Sequence, residues 1–180
     1  MLLDSDYVVN STVLSAVFDT ANEILCYRDS LDIVRPDTAF LPTFGKFAMP
    51  MWWATVIYFT KTPRAQWVFE SMKMVQRNWN HYRDLYGIAE DLYRNDYALS
   101  IALGLLSGHT GVVDSIPLVM MSTLPQDKLT LTVQDQQQFW TSEYQNVEGK
   151  LKTMSWSGLD FHAMGKKHLV KAINLSLIHI

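Results

Sequence analysis

Residues Trp52 to Gly87 constrain the fold of this chain more than any other stretch. The run Trp52-Trp53-Ala54-Thr55-Val56-Ile57-Tyr58-Phe59 is apolar, β-branched and aromatic, the composition of a strand covered on both faces. Thr60-Lys61-Thr62-Pro63 follows at once. Thr62 is placed to cap a helix, and Pro63 stands at its first position, where a missing N–H costs nothing. Val68, Met72, Val75, Trp79 and Tyr82 then recur at three- and four-residue spacing, which predicts one amphipathic helix running to about Tyr86. Gly87 supplies its C-terminal cap. A buried strand feeding directly into a long helix predicts an α/β protein with a sheet flanked by helices.

The remaining elements are shorter. Residues 1–9 read as a strand, Thr12 to Asn22 as a short helix with Val13, Leu14, Val17 and Phe18 on one face, and Ile24 to Tyr27 as a strand. Residues 29–50, with Pro36, Pro42, Gly45 and Pro50, read as a long irregular loop. Asn95 is expected to cap a helix over Asp96–Ser107 that ends at Gly108. Strands are expected at 116–122, 128–133 and 138–144, and a loop around Ser155 to His168 leads into a terminal helix. The ending Leu175-Ser176-Leu177-Ile178-His179-Ile180 resembles a translated sequencing adapter. It sets a domain over 1–174 apart from a non-native tail of 175–180, and His179 is set aside as a ligand. The first strand is read as the start of a truncated domain.

With 180 residues, 48% hydrophobic, the chain is long enough to bury a real core. A net charge of −3 offers no basic face for nucleic acid or an anionic membrane. No apolar stretch is long enough to span a bilayer. The single cysteine, Cys26, excludes an internal disulfide framework and fits a reducing, cytoplasmic setting; its expected place is the core. Trp52, Trp53, Trp67 and Trp79 are expected in the core, His81 and His109 at the surface or in loops, and Asp84, Glu90, Asp91 and Arg94 in a solvated cluster.

Two segments carry chemistry. Leu3-Asp4-Ser5-Asp6 puts two carboxylates one residue apart at the end of an apolar run. Open α/β sheets place ligands where strands end, and hard oxygen donors suit Mg²⁺ or Mn²⁺. A pair of surface aspartates in a turn is the alternative. Phe161-His162-Ala163-Met164-Gly165-Lys166-Lys167-His168 combines an imidazole that can ligate a cation, a glycine that lets backbone approach a phosphate, and lysines that neutralise its charge. The alternative there is a basic loop entering a helix.

Together these segments resemble the latter part of a GT-A-type glycosyltransferase of the glycogenin and lipopolysaccharide-galactosyltransferase group, in a form also met in tailed bacteriophages. In that family a strand ends in Leu-Asp-x-Asp, and His-x-x-Gly-x-x-Lys lies near the C-terminus. The resemblance implies that Asp4, Asp6 and His162 bind Mn²⁺ (or Mg²⁺) beneath a nucleotide-sugar diphosphate. Gly165 matches the signature glycine. His168 stands at its Lys position, with Lys166 and Lys167 close by for the phosphates.

The Trp52–Phe59 strand resembles the family's central strand, with Ala54 and Thr55 in place of Asn and Gly. Arg94-Asn95-Asp96-Tyr97 resembles an Asp-Gln segment beside the donor sugar, with Tyr97 in place of Gln. The resemblance thus implies donor contacts at Trp53, Thr55 and Asn95 and a catalytic role for Asp96; favourable pairing of Asp96 with the helix dipole is the alternative. The implied fold is a mixed GT-A-like sheet lacking its first strands. The implied reaction is sugar transfer from a nucleotide-diphosphate donor to an acceptor hydroxyl on a glycan, protein, lipid or modified DNA. Competing classes are a haloacid-dehalogenase-type phosphatase, for which no downstream acidic motif is present, a non-catalytic interaction protein on the same fold, and a fragment that folds poorly.

Overall fold

A computed structural model describes residues 1–40, 43–110 and 113–177. Pro42, expected in the long loop, and the tail residues 178–180, His179 among them, lie outside the described residues. The protein is mixed α/β, and its residues cluster into two compact units, each assembled from separated segments. No helix among the described residues is long and apolar enough to cross a membrane.

The first unit comprises Met1–Asp4, Asp19–Asp29 and Phe40–Val119. Its sheet places β7 (Trp53–Phe59) between β1 (Leu2–Leu3) and β3 (Ile24–Tyr27), all antiparallel. The expected buried strand is therefore central, with Val56 fully buried. Thr62 caps α1 (Pro63–Arg77), its Oγ1 accepting the Ala65 amide at 3.3 Å. The expected single helix is broken at Asn78, whose side chain donates to the Met74 carbonyl at 2.9 Å, and α2 (Trp79–Tyr86) follows. An asparagine side chain bonded back to its own helix competes with the helical ladder, which explains the break. Gly87 ends α2 in the left-handed conformation (φ 63°), as expected.

Helix α3 (Asn95–Leu106) starts one residue before the expected span, with Arg94 rather than Asn95 at the cap. Gly108 and His109 both turn left-handed after it, and the His109 amide reaches the Gly104 carbonyl at 2.7 Å. Ile24, Cys26, Ile57 and Val68 pack with Leu99, Ala102 and Leu103 into one core cluster. Burial pushes the Cys26 thiol up to about 12, so it is a protonated core side chain. Trp52 and Trp53 are buried, but Trp67 is 42% exposed because it lies off the Ala65–Val68–Val75 stripe that α1 buries. His81 and His109 are exposed, as are the Asp84 and Asp91 carboxylates paired with Arg83.

The second unit comprises Ser5–Phe18, Ser30–Ala39 and Met120–Ile180. One sheet has the order β2 (Tyr7–Val8), β12 (Phe161–Ala163), β8 (Met120–Thr123), β4 (Ser30–Asp32); β2 runs antiparallel to β12, and β12 and β4 run parallel to β8. A second sheet is the meander β9 (Lys128–Gln134), β10 (Gln137–Gln145), β11 (Leu151–Ser157). The chain closes with α4 (Lys166–Leu177). Phe161 packs edge-on against Trp140 and Trp156, with centroids 5.2 and 5.3 Å away, at the centre of this unit's core.

Several expectations change here. The single strand over 1–9 is two strands, β1 and β2, separated by a turn at Ser5-Asp6 and belonging to different sheets. The helix over 12–22 is a 3₁₀ helix over Val13–Asp19 that buries Leu14 and Val17 but leaves Val13 and Phe18 exposed. The loop over 29–50 contains β4 and, in the first unit, the hairpin of β5 (Thr43–Phe44) and β6 (Met49–Pro50). The strand expected at 116–122 is confined to β8, and the expected loop from Ser155 is occupied by the end of β11 and by β12.

Candidate functional site

Pairing of β2 with β12 brings the two chemistry-bearing segments together. His162 lies opposite Tyr7, and the Ala163 amide donates to the Asp6 carbonyl at 2.8 Å. Asp6 Oδ1 is 3.4 Å from His162 Nε2, and Asp6 Oδ2 is 3.3 Å from Lys166 Nζ. Lys166 Nζ also reaches Ser5 Oγ at 3.5 Å. The side chains of Asp6 and His162 are 5% and 12% exposed, whereas that of Lys166 is 57% exposed. The cluster thus has a buried acid, a half-buried imidazole beside it and a cation at its mouth.

Burial works to raise the Asp6 carboxyl, but His162 and then Lys166, through hydrogen bonding and charge, outweigh it and hold the carboxyl below its usual value. Asp6 is therefore a carboxylate throughout the neutral range. The contact with His162 is long, 3.4 Å, and a carboxylate oxygen can accept more than one donor, so Oδ1 keeps acceptor capacity.

The helix that carries Lys166 begins against electrostatic preference. Lys166 and Lys167 occupy the first turn of α4, which contains no acidic residue. A helix N-terminus favours negative charge, so two cations there are unfavourable unless an anion faces them. Asp6 answers Lys166; Lys167 is exposed. Gly165 has a packing reason of its own: a Cβ there would lie 2.8 Å from the Pro125 carbonyl oxygen. Its own carbonyl accepts the His168 and Leu169 amides, which opens the helix.

The other expected residues lie in the first unit. Asp4 is exposed just after β1, its amide bonded to the Thr55 carbonyl at 2.8 Å. Thr55 is buried within β7, and Trp53 is buried with Phe40 edge-on at 6.2 Å. Asp96 Oδ1 accepts the Ala54 amide at 2.9 Å, and Oδ2 pairs with Arg94 at 2.7 Å. With Ser100 Oγ accepting the Trp52 amide at 2.8 Å, Asp96 fastens the beginning of β7 to α3. Asn95 Oδ1 accepts the Tyr93 hydroxyl at 3.1 Å.

Of the three expected metal ligands, Asp6 and His162 meet within the second unit, and Asp4 belongs to the first. Among the described residues no group of three or more His, Cys, Asp or Glu side chains is arranged to hold a metal ion. The two-donor set is compatible with a hard cation all the same. The Oδ1–Nε2 spacing of 3.4 Å is near the roughly 3 Å between neighbouring donors in an octahedral shell with bonds of about 2.1 Å, and such ions commonly take only one or two protein ligands beside water and phosphate oxygens.

Sequence reasoning missed a second polar centre in this unit. Arg35 binds Asp127 through both terminal nitrogens and Asp32 through one, and it lies 4.9 Å over the Tyr144 ring. Its partners are up to 110 residues away, and no local pattern joins them. Compared with known protein families, curated proteins and solved structures, the chain matches none.

Proposed function

We propose that this chain is part of a metal-dependent glycosyltransferase of the GT-A type, moving a sugar from a nucleotide-diphosphate donor to an acceptor hydroxyl. The observation that carries the reading is the meeting of Asp6 and His162, 156 positions apart, as a buried acid beside a half-buried imidazole with a lysine at the mouth. That is the pairing which the Asp-x-Asp and His-x-x-Gly segments imply when they are taken as one motif. The mixed α/β character of the chain agrees with it.

Asp6 and His162 would hold Mn²⁺ or Mg²⁺, with water and diphosphate oxygens completing the shell. The bound cation supplies Lewis-acid stabilisation of the leaving nucleoside diphosphate. The protein's own groups orient and neutralise. Asp6 stays ionised at neutral pH and its side chain is 5% exposed, so its charge is weakly screened. Lys166 exchanges its contact with Asp6 for a phosphate oxygen, and Lys167 adds a second cation at the same helix start. The N-terminus of α4 then faces the anion that its two lysines call for. No nucleophile is needed for this role; positioning and preorganised charge are the contribution.

Calorimetric titration with Mn²⁺ and a panel of UDP- and GDP-sugars tests the proposal. Wild-type protein is expected to bind a nucleotide sugar only with the metal present. Asp6→Ala and His162→Ala are expected to weaken binding by at least about tenfold. Asp4→Ala tests the further implication of the Leu-Asp-x-Asp resemblance. Equal binding by the wild type and the Asp6 and His162 variants overturns the assignment.

A further inference from the structure

A second recess in the same unit has a different chemistry. A cleft of about 480 Å³ lies between Asn10–Thr12 and the β9–β10 turn, with Gln136, Gln137 and Gln138 on its other wall. A groove of about 410 Å³ runs from Ser5 along Tyr7 and Val8, against Trp140 and the Leu169–Ile173 face of α4. Val9 and Gln138 line both, so the two form one trough that follows β2 away from Asp6. Not one residue lining either stretch is charged, although 18% of the chain is. The walls combine amide and hydroxyl groups at the far end with Val9 and Val133, 50% and 44% exposed, in the middle.

Two observations mark the far end as built. The β9–β10 connection is a two-residue turn with Asp135 at φ 49° and Gln136 at φ 65°. Turns of this kind favour Asn-Gly, and a glutamine held left-handed is strained. The Gln136 side chain is thus present where glycine would serve the backbone better. Asp160, 5% exposed, accepts the Asn10 and Ser11 amides at 2.7 and 2.6 Å and fixes the facing rim.

We infer that this trough binds a neutral oligosaccharide. Sugar hydroxyls suit walls of uncharged amides and hydroxyls, and the apolar faces of sugar rings suit the exposed valines Val9 and Val133. The stretch from Ser5 to Thr12 spans at most about 24 Å, room for several rings. As the acceptor site of a sugar transferase the trough rests on the reading above; as a carbohydrate site it does not.

Saturation-transfer NMR on the full chain, without metal or nucleotide sugar, tests this. The probes are cello-, malto- and chito-tetraose, an anionic hyaluronan tetrasaccharide and an uncharged tetrapeptide. At least one neutral tetrasaccharide is expected to receive saturation, in preference to the anionic sugar and the peptide. Gln136→Gly is expected to bind it about fivefold more weakly, the loss of one net hydrogen bond, with an unchanged or higher melting temperature because glycine suits φ 65°. Gln138→Ala is expected to weaken it likewise. Because the sugars are titrated without metal or nucleotide sugar, a failure of nucleotide-sugar binding is scored separately. No transfer to any neutral sugar, equal or stronger binding of the anionic sugar or the peptide, or unchanged affinity in both glutamine variants overturns the inference.

Discussion

Gly165 shows how one residue can satisfy two readings that only an experiment separates. In the sequence it suggests a close approach of backbone to a phosphate. In the folded chain its missing Cβ makes room for the Pro125 carbonyl oxygen. Gly165→Ala is therefore expected to cost about 1–3 kcal/mol of stability without any ligand present, as overpacking against backbone does. Urea denaturation of the apo protein measures it; an unchanged midpoint would return the glycine to the phosphate role. At this scale the sequence revealed which residue types bear chemistry. Asp6 and His162 stood out as an acid and an imidazole in suggestive settings. That Lys166 answers Asp6 directly, and that Asp96 is bonded to the Ala54 amide and Arg94, depends on neighbours that no local pattern names.

Elements were legible where burial and periodicity reinforced each other. β7, the cap of α1 and the glycine end of α2 are all written locally, because one side chain or one apolar run decides each. The missed strands lack that signal. β4 carries buried Ser30 and Asp32, polar residues satisfied by Ser122 Oγ at 2.8 Å and by Arg35, so it reads as loop. β11 is mostly exposed, and β12 has three residues. The Arg35 cluster ties β4 to β9 and β10. Asp32 ends β4, Asp127 sits before β9, and the Gln145 carbonyl at the end of β10 accepts from Arg35 at 3.1 Å. Arg35→Met removes the cation shared by two carboxylates that are both 0% exposed, and is expected to cost about 3–5 kcal/mol. Chemical denaturation followed by the fluorescence of Trp140 and Trp156 reads the loss; adding Asp127→Asn should recover part of it, which an independent effect at Arg35 would not allow.

At the scale of the molecule, each unit is built from three separated stretches of chain. β7 takes both its neighbours from the first 27 residues, and β12 takes one from β2 and the other from β8. A fragment of residues 40–119 would retain α1, α2 and α3 but leave β7 with neither β1 nor β3. It is expected to lack cooperative thermal unfolding and dispersed amide resonances, as judged by circular dichroism and NMR; a well-dispersed spectrum would show that the helices and hairpin suffice. The sequence by itself determined the local choices: a buried strand, a capped helix, a core cysteine, and acids and an imidazole in recognisable spacing. These follow from steric preference and hydrophobic period, which act over a few residues. Only the tertiary structure decided that the first apolar run splits between two sheets, that Asp6 finds His162 and Lys166, and that Arg35 binds two distant carboxylates. Those pairings follow from strand register and from the need of buried charge for a partner, and both are settled by chain segments more than a hundred positions apart or nearly so.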